Sequence, residues 1–206
     1  MNEVKITWQG HSCFQMEYKG FTVVVDPYDS GMMGPNAAPL ALTADAVYCS
    51  HEHGDHNYTQ AVTLRGGAAP EDYAVGEAVC PHDDAEGTKR GMNTVRCFRF
   101  GDKTIVHMGD VGCIPSDEVF DLVCGCDLMM IPVGGFFTVD AATAYEIVKR
   151  AKPGCVVPMH YRTDKGGFDV LSTVEDFAKF FDKAERIGAE LTLGDEMPAG
   201  LVIFQQ

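Results

Sequence analysis

The segment HEHGDH at residues 51–56 constrains this chain more than any other feature of its sequence. The chain has seven histidines, and three of them fall within this segment together with an aspartate. In an extended loop, His51 and His53 point to the same side and can clamp one metal ion. Asp55 and His56 lie one step further along and can face a second ion. A solvated histidine-rich loop and a single adventitious metal site are the alternatives.

The residues around this segment decide what kind of site it can form. Residues 46–50 predict a short apolar strand, so the segment lies on a loop at the carboxyl end of a strand, a common position for functional residues. A metalloprotease motif of the HExxH type would need a helix and a histidine at position 55, which is an aspartate. The segment therefore predicts a metal site carried by a loop.

Length and charge limit the classes of protein to which the chain can belong. With 206 residues, 46% of them hydrophobic, the chain can bury a sizeable core, and we predict one domain over residues 1–206. Its 16 basic and 30 acidic residues give a net charge of −14, which repels nucleic acids and anionic membranes. We therefore expect a small-molecule partner and neither a nucleic-acid nor a membrane partner. A homo-oligomer is expected by analogy alone.

The lack of a recognisable targeting signal and the pattern of cysteines predict a cytoplasmic protein. The N-terminal sequence has no long apolar run after a basic start, and no later stretch approaches a membrane span in length. Eight cysteines are spread over a chain of ordinary size, so we expect reduced thiols rather than a disulfide framework. Cys124 and Cys126 form the only close pair. We expect the cysteines to act mainly as small hydrophobic residues of the core.

Hydrophobic periodicity and turn residues predict a mixed chain that is rich in strands at first and more helical later. Lys19-Gly20 predicts a hairpin turn, and Asp140 predicts a helix N-cap. Residues 172–175 form a capping-box pattern that opens a helix with apolar residues at helical spacing, closed by Gly188. The predicted strands are 4–8, 13–18, 21–25, 46–50, 62–65, 73–80, 94–100, 103–108, 128–132, 155–159, 191–193 and 201–204. The predicted helices are 116–123, 140–151 and 172–188.

The order of the histidines and aspartates resembles that of the metallo-β-lactamase superfamily. The HxHxDH pattern after an apolar strand is similar to the superfamily's signature, and His82, Asp110 and His160 follow in the superfamily's order. The resemblance covers about residues 8–161 and implies an α/β fold, a four-layer αββα sandwich with the metals at one edge. A narrower branch, which includes ascorbate-6-phosphate lactonase, is similar in three motifs: WxGHS at 8–12, Asp26-Pro27 and GGxxT at 134–138.

The resemblance implies a site with two divalent metal ions. Imidazole and carboxylate ligands suit Zn²⁺, with Mn²⁺ or Fe as alternatives. Two ions roughly 3.5–4 Å apart can hold a hydroxide and polarise a carbonyl or phosphoryl oxygen. Asp55 would also orient that hydroxide and pass a proton to the leaving group, which makes it the expected catalytic residue. The expected ligands are His51, His53 and His82 for the first ion, Asp55, His56 and His160 for the second, and Asp110 as the bridging carboxylate.

Three further residues are expected to lie beside the ligands. By the resemblance, Asp26 accepts a hydrogen bond that steadies the loop at 51–56. His11 is either a structural hydrogen-bonding residue under the site or a contact to the substrate. His107 is expected to be structural.

The function predicted from these residues is hydrolysis of a small ester, lactone or phosphodiester, with a phosphorylated substrate among the candidates. A non-hydrolytic metal-binding or redox protein on the same fold is the alternative, motivated by the eight cysteines. Cations near the ligands could bind a phosphate or carboxylate, although ordinary surface charge explains them equally well. These cations are Arg162 and Lys165 after His160, and Lys89 and Arg90 after His82. Candidates for an apolar wall are Met32, Met33, Phe136 and Phe137.

Overall fold

A computed structural model of the protein describes residues 3–205, whose strands form a five-stranded, a seven-stranded and a two-stranded sheet. Single 3-10 turns lie at Ser30–Met32 and Thr59–Ala61. The α-helices are α1 (Asp117–Val123), α2 (Ala141–Ala151) and α3 (Glu175–Ala178). The strands are β1 (Val4–Gly10), β2 (Cys13–Tyr18), β3 (Phe21–Val25), β4 (Leu42–Ala44), β5 (Ala46–Tyr48), β6 (Val62–Leu64), β7 (Tyr73–Pro81), β8 (Met92–Phe100), β9 (Lys103–His107), β10 (Leu128–Pro132), β11 (Cys155–Met159), β12 (Ala184–Ile187), β13 (Glu190–Leu193) and β14 (Gly200–Phe204).

The five-stranded sheet has the order β13-β1-β2-β3-β5 and begins with the predicted hairpin. Lys19 and Gly20 both have positive φ, the backbone that a tight two-residue hairpin turn requires, and this prediction is confirmed. All five residues of β3 are buried because the strand is covered on both faces. Val23 and Val25 contact the main core, whereas Val24 contacts a smaller cluster on the opposite face.

The seven-stranded sheet has the order β12-β14-β11-β10-β9-β8-β7. Its central strands β10 and β11 are parallel and buried at every residue, which agrees with their continuous apolar sequence. Helix α2 begins after the predicted cap, where the Asp140 side chain accepts a hydrogen bond from the Thr143 backbone N–H at 2.8 Å. Among the described residues, no helix is both long and apolar enough to cross a membrane.

The two large sheets share one hydrophobic core, and the predicted sandwich is confirmed. Side chains from the five-stranded sheet, such as Ile6 and Phe14, belong to the same buried cluster as Phe98 and Ile105 of the seven-stranded sheet. Helices α1 and α2 add apolar residues to this cluster. The other face of the five-stranded sheet is covered by the loop after β3 and by the β4–β6 pair.

The predicted helix over 172–188 is wrong beyond its first turn. Helix α3 covers only Glu175–Ala178, and Val174 rather than a capping serine precedes it. Residues Ala184–Ile187 instead form β12, which pairs in parallel with β14 at the edge of the seven-stranded sheet. Phe177 is fully buried and satisfies the helical pattern, but backbone pairing along β14 outweighs that pattern further on.

Candidate metal centre

The predicted metal ligands lie at one edge of the sandwich, after the ends of strands from both large sheets. The loop at 51–56 follows β5 of the five-stranded sheet. His82, Asp110 and His160 follow β7, β9 and β11 of the seven-stranded sheet. The site is therefore complete only when the two sheets pack against each other.

Seven predicted ligands come together in overlapping sets whose candidate ligand atoms lie within 4.8 Å of one another. One set, of three imidazoles, matches the expected ligands of the first ion, and another contains the expected ligands of the second ion together with His11. Every member is buried except His53, which is exposed. The sets are His51, His53 and His82; His51, His56 and Asp110; and His11, Asp55, His56 and His160.

Asp110 lies between the sets. Its Oδ2 atom is 3.4 Å from Nε2 of His82 and 3.1 Å from Nε2 of His160, which belong to different sets. Its Oδ1 atom is 3.2 Å from Nε2 of His56. A carboxylate in this position could therefore be a ligand of an ion held by either set.

His11 joins the set around Asp55, although it was not among the ligands expected from the sequence. Its Nε2 atom is 3.4 Å from Oδ2 of Asp55, and its ring lies 4.2 Å from the ring of His160. Asp55 Oδ2 is also 3.5 Å from Nε2 of His56. The WxGHS motif was the signal available in the sequence. It places His11 in the tight turn between β1 and β2, at the edge where the other candidate ligands lie.

The cluster contains buried polar atoms that have no hydrogen-bond partner among the described residues. Buried polar groups are nearly always paired, so such a concentration needs an explanation. A bound cation supplies one, because imidazole nitrogen and carboxylate oxygen are ligands of zinc and similar ions. These residues therefore fit the metal that the fold implies. The unpaired ligand atoms are Nε2 of His11, His51, His56 and His160 and Oδ1 of Asp110.

Three buried carboxylates give the site its negative charge. Burial opposes the ionisation of Asp55, but the nearby imidazoles of His11, His160 and His56 outweigh it and lower the pKa of this carboxyl. Burial likewise opposes ionisation of Asp110, and the charges of His160 and His56 lower its pKa well below the usual range. The pKa of Asp26 is also lowered, because His56 and His107 outweigh the effect of burial.

The imidazoles divide into two classes. Burial, with repulsion from His160, lowers the pKa of His11 to about 4, and burial with repulsion from His56 lowers that of His51 to about 3. Burial also opposes the charge on His160, yet Asp110 raises its pKa to about 9. Asp110 and Asp26 together raise the pKa of His56 well above its ordinary value. The buried carboxylates thus favour positive charge on their neighbours, and bound divalent cations would supply such charge.

Asp26 supports the loop at 51–56 from below. Its Oδ2 atom lies 2.7 Å from Nδ1 of His56 and accepts a hydrogen bond from Oγ of Ser50 at 2.6 Å. Its Oδ1 atom accepts the backbone N–H of Ser50 at 2.6 Å, and the Ser50 hydroxyl is 2.9 Å from Nδ1 of His51. Asp26 therefore fixes the ring orientation of His56 directly, and the Ser50 hydroxyl links it to the ring of His51.

His107 and Asn93 hold the backbone that carries Asp110. The Nε2 of His107 lies 2.9 Å from the carbonyl oxygen of Ser12, and its Nδ1 accepts the backbone N–H of Gly109. Asn93 accepts the backbone N–H of Asp110 at 2.8 Å and donates to the carbonyl of Met108. Both ring nitrogens of His107 are used in this way, which agrees with its expected structural role.

Three residues of the site adopt an unusual backbone conformation. His11, Asp26 and His160 have φ values of 51°, 50° and 51°, in the left-handed region that side chains other than glycine rarely occupy. Such conformations cost of order 1–3 kcal/mol each and persist where surrounding structure imposes them. Because all three lie in the site, the surrounding structure must hold these side chains in place against the cost of the backbone conformation.

Gly134 lies against the backbone of His160. A Cβ atom added at Gly134 would lie 2.2 Å from the carbonyl oxygen of His160. We expect Gly134→Ala to lower the free energy of unfolding by about 1–3 kcal/mol, because the backbone at His160 must shift. Urea denaturation measures the change. Gly188→Ala is the control, since nothing lies within 4 Å of its added Cβ; equal stability of the two variants would contradict this packing.

A cavity of about 460 Å³ opens onto the cluster. Met32, Phe137 and Phe168 form its apolar wall, and Arg90 is a cation in its lining. Arg162 and Lys165 lie elsewhere, in a separate cavity beside Trp8. Arg162 is thus not among the residues that line the cavity at the cluster, and its contact with the substrate stays a prediction.

Comparison with known proteins identifies the family. A family model described as a β-lactamase superfamily domain matches residues 5–160. The chain belongs to the metallo-β-lactamase superfamily. A "UPF0173 metal-dependent hydrolase" of Carboxydothermus hydrogenoformans is 27% identical, with 91% of this chain and 95% of the relative covered. A relative from Thermoplasma acidophilum with the same description is 26% identical, over 83% and 87% of the two chains. Both of these relatives are described as metal-dependent hydrolases.

Solved structures agree with this membership of the metallo-β-lactamase superfamily. A Thermotoga maritima protein described as a member of the superfamily is 28% identical with a TM-score of 0.74, covering 98% of this chain and 97% of that one. CmlA, a diiron β-hydroxylase from Streptomyces venezuelae, is 14% identical with a TM-score of 0.57, covering 92% of this chain and 54% of that one. The second likeness is one of fold alone.

Proposed function

We propose that this chain hydrolyses a small ester, lactone or phosphodiester with two divalent metal ions bound at the cluster. One observation carries the proposal: imidazoles and carboxylates from both sheets converge with buried ligand atoms that lack hydrogen-bond partners among the described residues. The relatives named metal-dependent hydrolases support the same class of reaction.

The donor set favours zinc, with manganese or iron as the alternatives. Zinc accepts both imidazole and carboxylate ligands, and a larger carboxylate share suits the other two metals. His11 is added to the ligands expected from the sequence, since its Nε2 atom is buried, unpaired and grouped with Asp55. We assign His51, His53 and His82 to one ion, His11, Asp55, His56 and His160 to the other, and Asp110 to both.

Asp55 is the proposed catalytic residue. Two divalent ions, when bound, lower the pKa of water towards neutrality and polarise the oxygen of the scissile bond. The lowered pKa of Asp55 keeps its carboxylate ionised, so that it can orient water by accepting a hydrogen bond from it. The imidazoles of His11 and His160 lie beside this carboxylate, with their Nε2 atoms 3.4 and 3.8 Å from Oδ2 of Asp55.

The cavity supports a small substrate. A volume of about 460 Å³ lies within the range of small-molecule sites, and the opening faces Asp55 and Asp110 directly. Among the three substrate classes we favour a lactone, phosphorylated or not, because the WxGHS and GGxxT motifs resemble the branch that includes ascorbate-6-phosphate lactonase.

An activity screen tests the proposed function. The protein is loaded separately with Zn²⁺, Mn²⁺ and Fe²⁺ and assayed with a 4-nitrophenyl ester, a δ-lactone, a thioester and bis(4-nitrophenyl) phosphate. We expect turnover of at least one class that is lost on chelation and restored by the metal. Protein with two bound ions that turns over none of these compounds would contradict the proposal.

His11→Ala tests the added ligand. We expect the metal content after dialysis to fall from two ions per chain towards one, because the set around Asp55 loses an imidazole. Elemental analysis measures the content. His11→Gln, which retains a hydrogen-bond donor but no imidazole, is expected to fall equally; an unchanged content in both variants would reduce His11 to a residue that positions Asp55.

A redox function is the second candidate, because the same fold carries a diiron β-hydroxylase. The cysteines give it little support. Burial raises the pKa of Cys80 to about 11 and those of Cys126 and Cys155 to about 12, so these thiols are poor nucleophiles and weak redox groups at neutral pH. Bound iron that cycles with an added reductant, in protein without hydrolytic activity, would favour this candidate.

The setting of the reaction remains part of the proposal. We propose a cytoplasmic protein that acts on a small molecule and binds neither nucleic acid nor membranes, in keeping with its net charge of −14 and eight free cysteines. A homo-oligomer is proposed by analogy. Sedimentation velocity on the metal-loaded protein measures the oligomeric state.

A further inference from the structure

Arg90 is a cation in the wall of the cavity that opens onto the metal cluster. Its guanidinium donates one hydrogen bond, to the carbonyl oxygen of Phe136 at 3.3 Å, and lies 5.5 Å from the centre of the Phe137 ring. Within residues 3–205, no carboxylate forms an ion pair with it. A guanidinium has five N–H donors, so most of those on Arg90 are free to bind a ligand.

We infer that Arg90 binds an anionic group of the substrate, a carboxylate or a phosphate, while an apolar part of the substrate lies along Phe137 and Phe168. This inference rests on the proposed function, since it places the scissile bond at the metal cluster. It narrows the substrate to a small anion with an apolar segment between its charge and its scissile bond.

The loop that carries Arg90 is built to hold it in one position. The buried carboxylate of Asp83 accepts four backbone N–H groups, from Ala85, Gly87, Lys89 and Arg90, at 2.8–2.9 Å. Burial opposes the charge on Asp83, but these donors outweigh it and lower its pKa to about 2. The loop begins at His82, so one turn fixes both a candidate metal ligand and the guanidinium.

Other cations near the ligands in sequence do not share this position. Lys89 points to solvent, with 57% of its side chain exposed, and pairs with Asp84 at 2.7 Å. Arg162 lines the separate cavity beside Trp8. Arg90 therefore differs from its neighbours in facing the cluster's cavity with free donors.

Aromatic rings connect Arg90 to the cluster. The guanidinium lies over Phe137, the Phe137 ring is 5.3 Å from the Phe168 ring, and Phe168 is 5.9 Å from the ring of His11. Met32 completes this apolar wall, with 43% of its surface exposed. An apolar segment that follows these rings would join a group at the metals to an anion at Arg90.

Charge explains why such a residue is needed. The chain has a net charge of −14, and Glu52 and two aspartates also line the cavity, so an anionic substrate meets general repulsion. The metals can offset the two aspartates, and Glu52 accepts a hydrogen bond from Asn57. A guanidinium beside the entry gives the anion a local partner and a preferred orientation.

Binding of three probes of matched shape tests the inference. Phenylacetate, benzylphosphonate and neutral phenylacetamide are titrated into zinc-loaded wild-type protein and Arg90→Gln, with amide chemical shifts read by NMR. We expect at least one anion to bind about tenfold more weakly to Arg90→Gln, as loss of a charged hydrogen bond predicts, while phenylacetamide is unaffected. The anion with the larger dependence identifies the preferred group. Lys89→Gln and Arg162→Gln serve as controls and should bind all probes as the wild type does.

Two results would overturn the inference. One is equal binding of both anions to wild type and Arg90→Gln, as expected if they bind only to the metals. The other is an equal loss for the neutral probe, which would indicate a damaged cavity. Metal content and hydrolysis of a neutral ester are measured on the same samples. If the ester is hydrolysed but anion binding is the same in wild type and Arg90→Gln, only the anion site is rejected. If anion binding weakens in Arg90→Gln but no ester is hydrolysed, the proposed reaction is rejected and the anion site is retained.

Discussion

Asp55→Ala is expected to lower turnover by roughly 10³-fold, even with metal in excess. The carboxylate is ionised, faces the cavity, and lies within 3.8 Å of Nε2 of three histidines, His11, His56 and His160. Removing it takes away both a candidate ligand and the group that would orient water. Steady-state kinetics on the substrate identified by the activity screen measures the loss.

Asp29→Asn is the matched control for this variant. Asp29 lies near the same loop, but its carboxylate caps a 3-10 turn by accepting the Gly31 backbone N–H, a role that asparagine also fills. Its turnover should equal that of the wild type. Turnover of Asp55→Ala within threefold of wild type would remove Asp55 from the mechanism, and circular dichroism of both variants excludes unfolding as the cause.

Asp26→Ala is expected to lower the free energy of unfolding by about 3–5 kcal/mol. The side chain is fully buried, and its loss leaves the Ser50 N–H, the Ser50 hydroxyl and the His56 ring without their acceptor. Alanine must also adopt the positive φ of this position, which asparagine tolerates better. Urea denaturation of chelated protein measures the effect independently of bound metal.

The same variant is expected to weaken metal binding by about 10–100-fold, because His56 loses the partner that orients its ring. Asp26→Asn separates the two effects, since it keeps the shape and the backbone conformation but loses the charge. We expect Asp26→Asn to recover part of the stability and little of the metal affinity. A change in stability below 1 kcal/mol for Asp26→Ala would contradict the supporting role of this carboxylate.

Much of the fold is predictable from local pattern. The hairpin at Lys19-Gly20, the cap at Asp140 and the buried strands β10 and β11 follow from turn chemistry and apolar runs that act over a few residues. The helix predicted over 172–188 is wrong because a non-local contact decides its second half. Its apolar spacing suits a helix, but its second half forms β12 at the edge of the sheet and pairs with β14, a strand that comes later in the chain.

The site shows the same limit. The density of ligands at 51–56 is local and visible, whereas His82, Asp110 and His160 could be matched only by their order in a resembling family. His11 was not among the ligands expected from the sequence, because the turn between β1 and β2 brings it to Asp55, 44 positions away, and no spacing rule predicts that contact. Arg162 and Arg90 each follow a candidate ligand, and only the direction of the chain beyond β11 and β7 decides which one faces the cavity.

The central claim is that this cluster binds two metal ions. Elemental analysis of the purified protein, reconstituted with Zn²⁺ and dialysed, tests it most directly. We predict two ions per chain, falling by at least one in Asp110→Ala, because that carboxylate lies between the two sets of ligands. One ion or none in the reconstituted wild type, or two ions retained in Asp110→Ala, would contradict the claim.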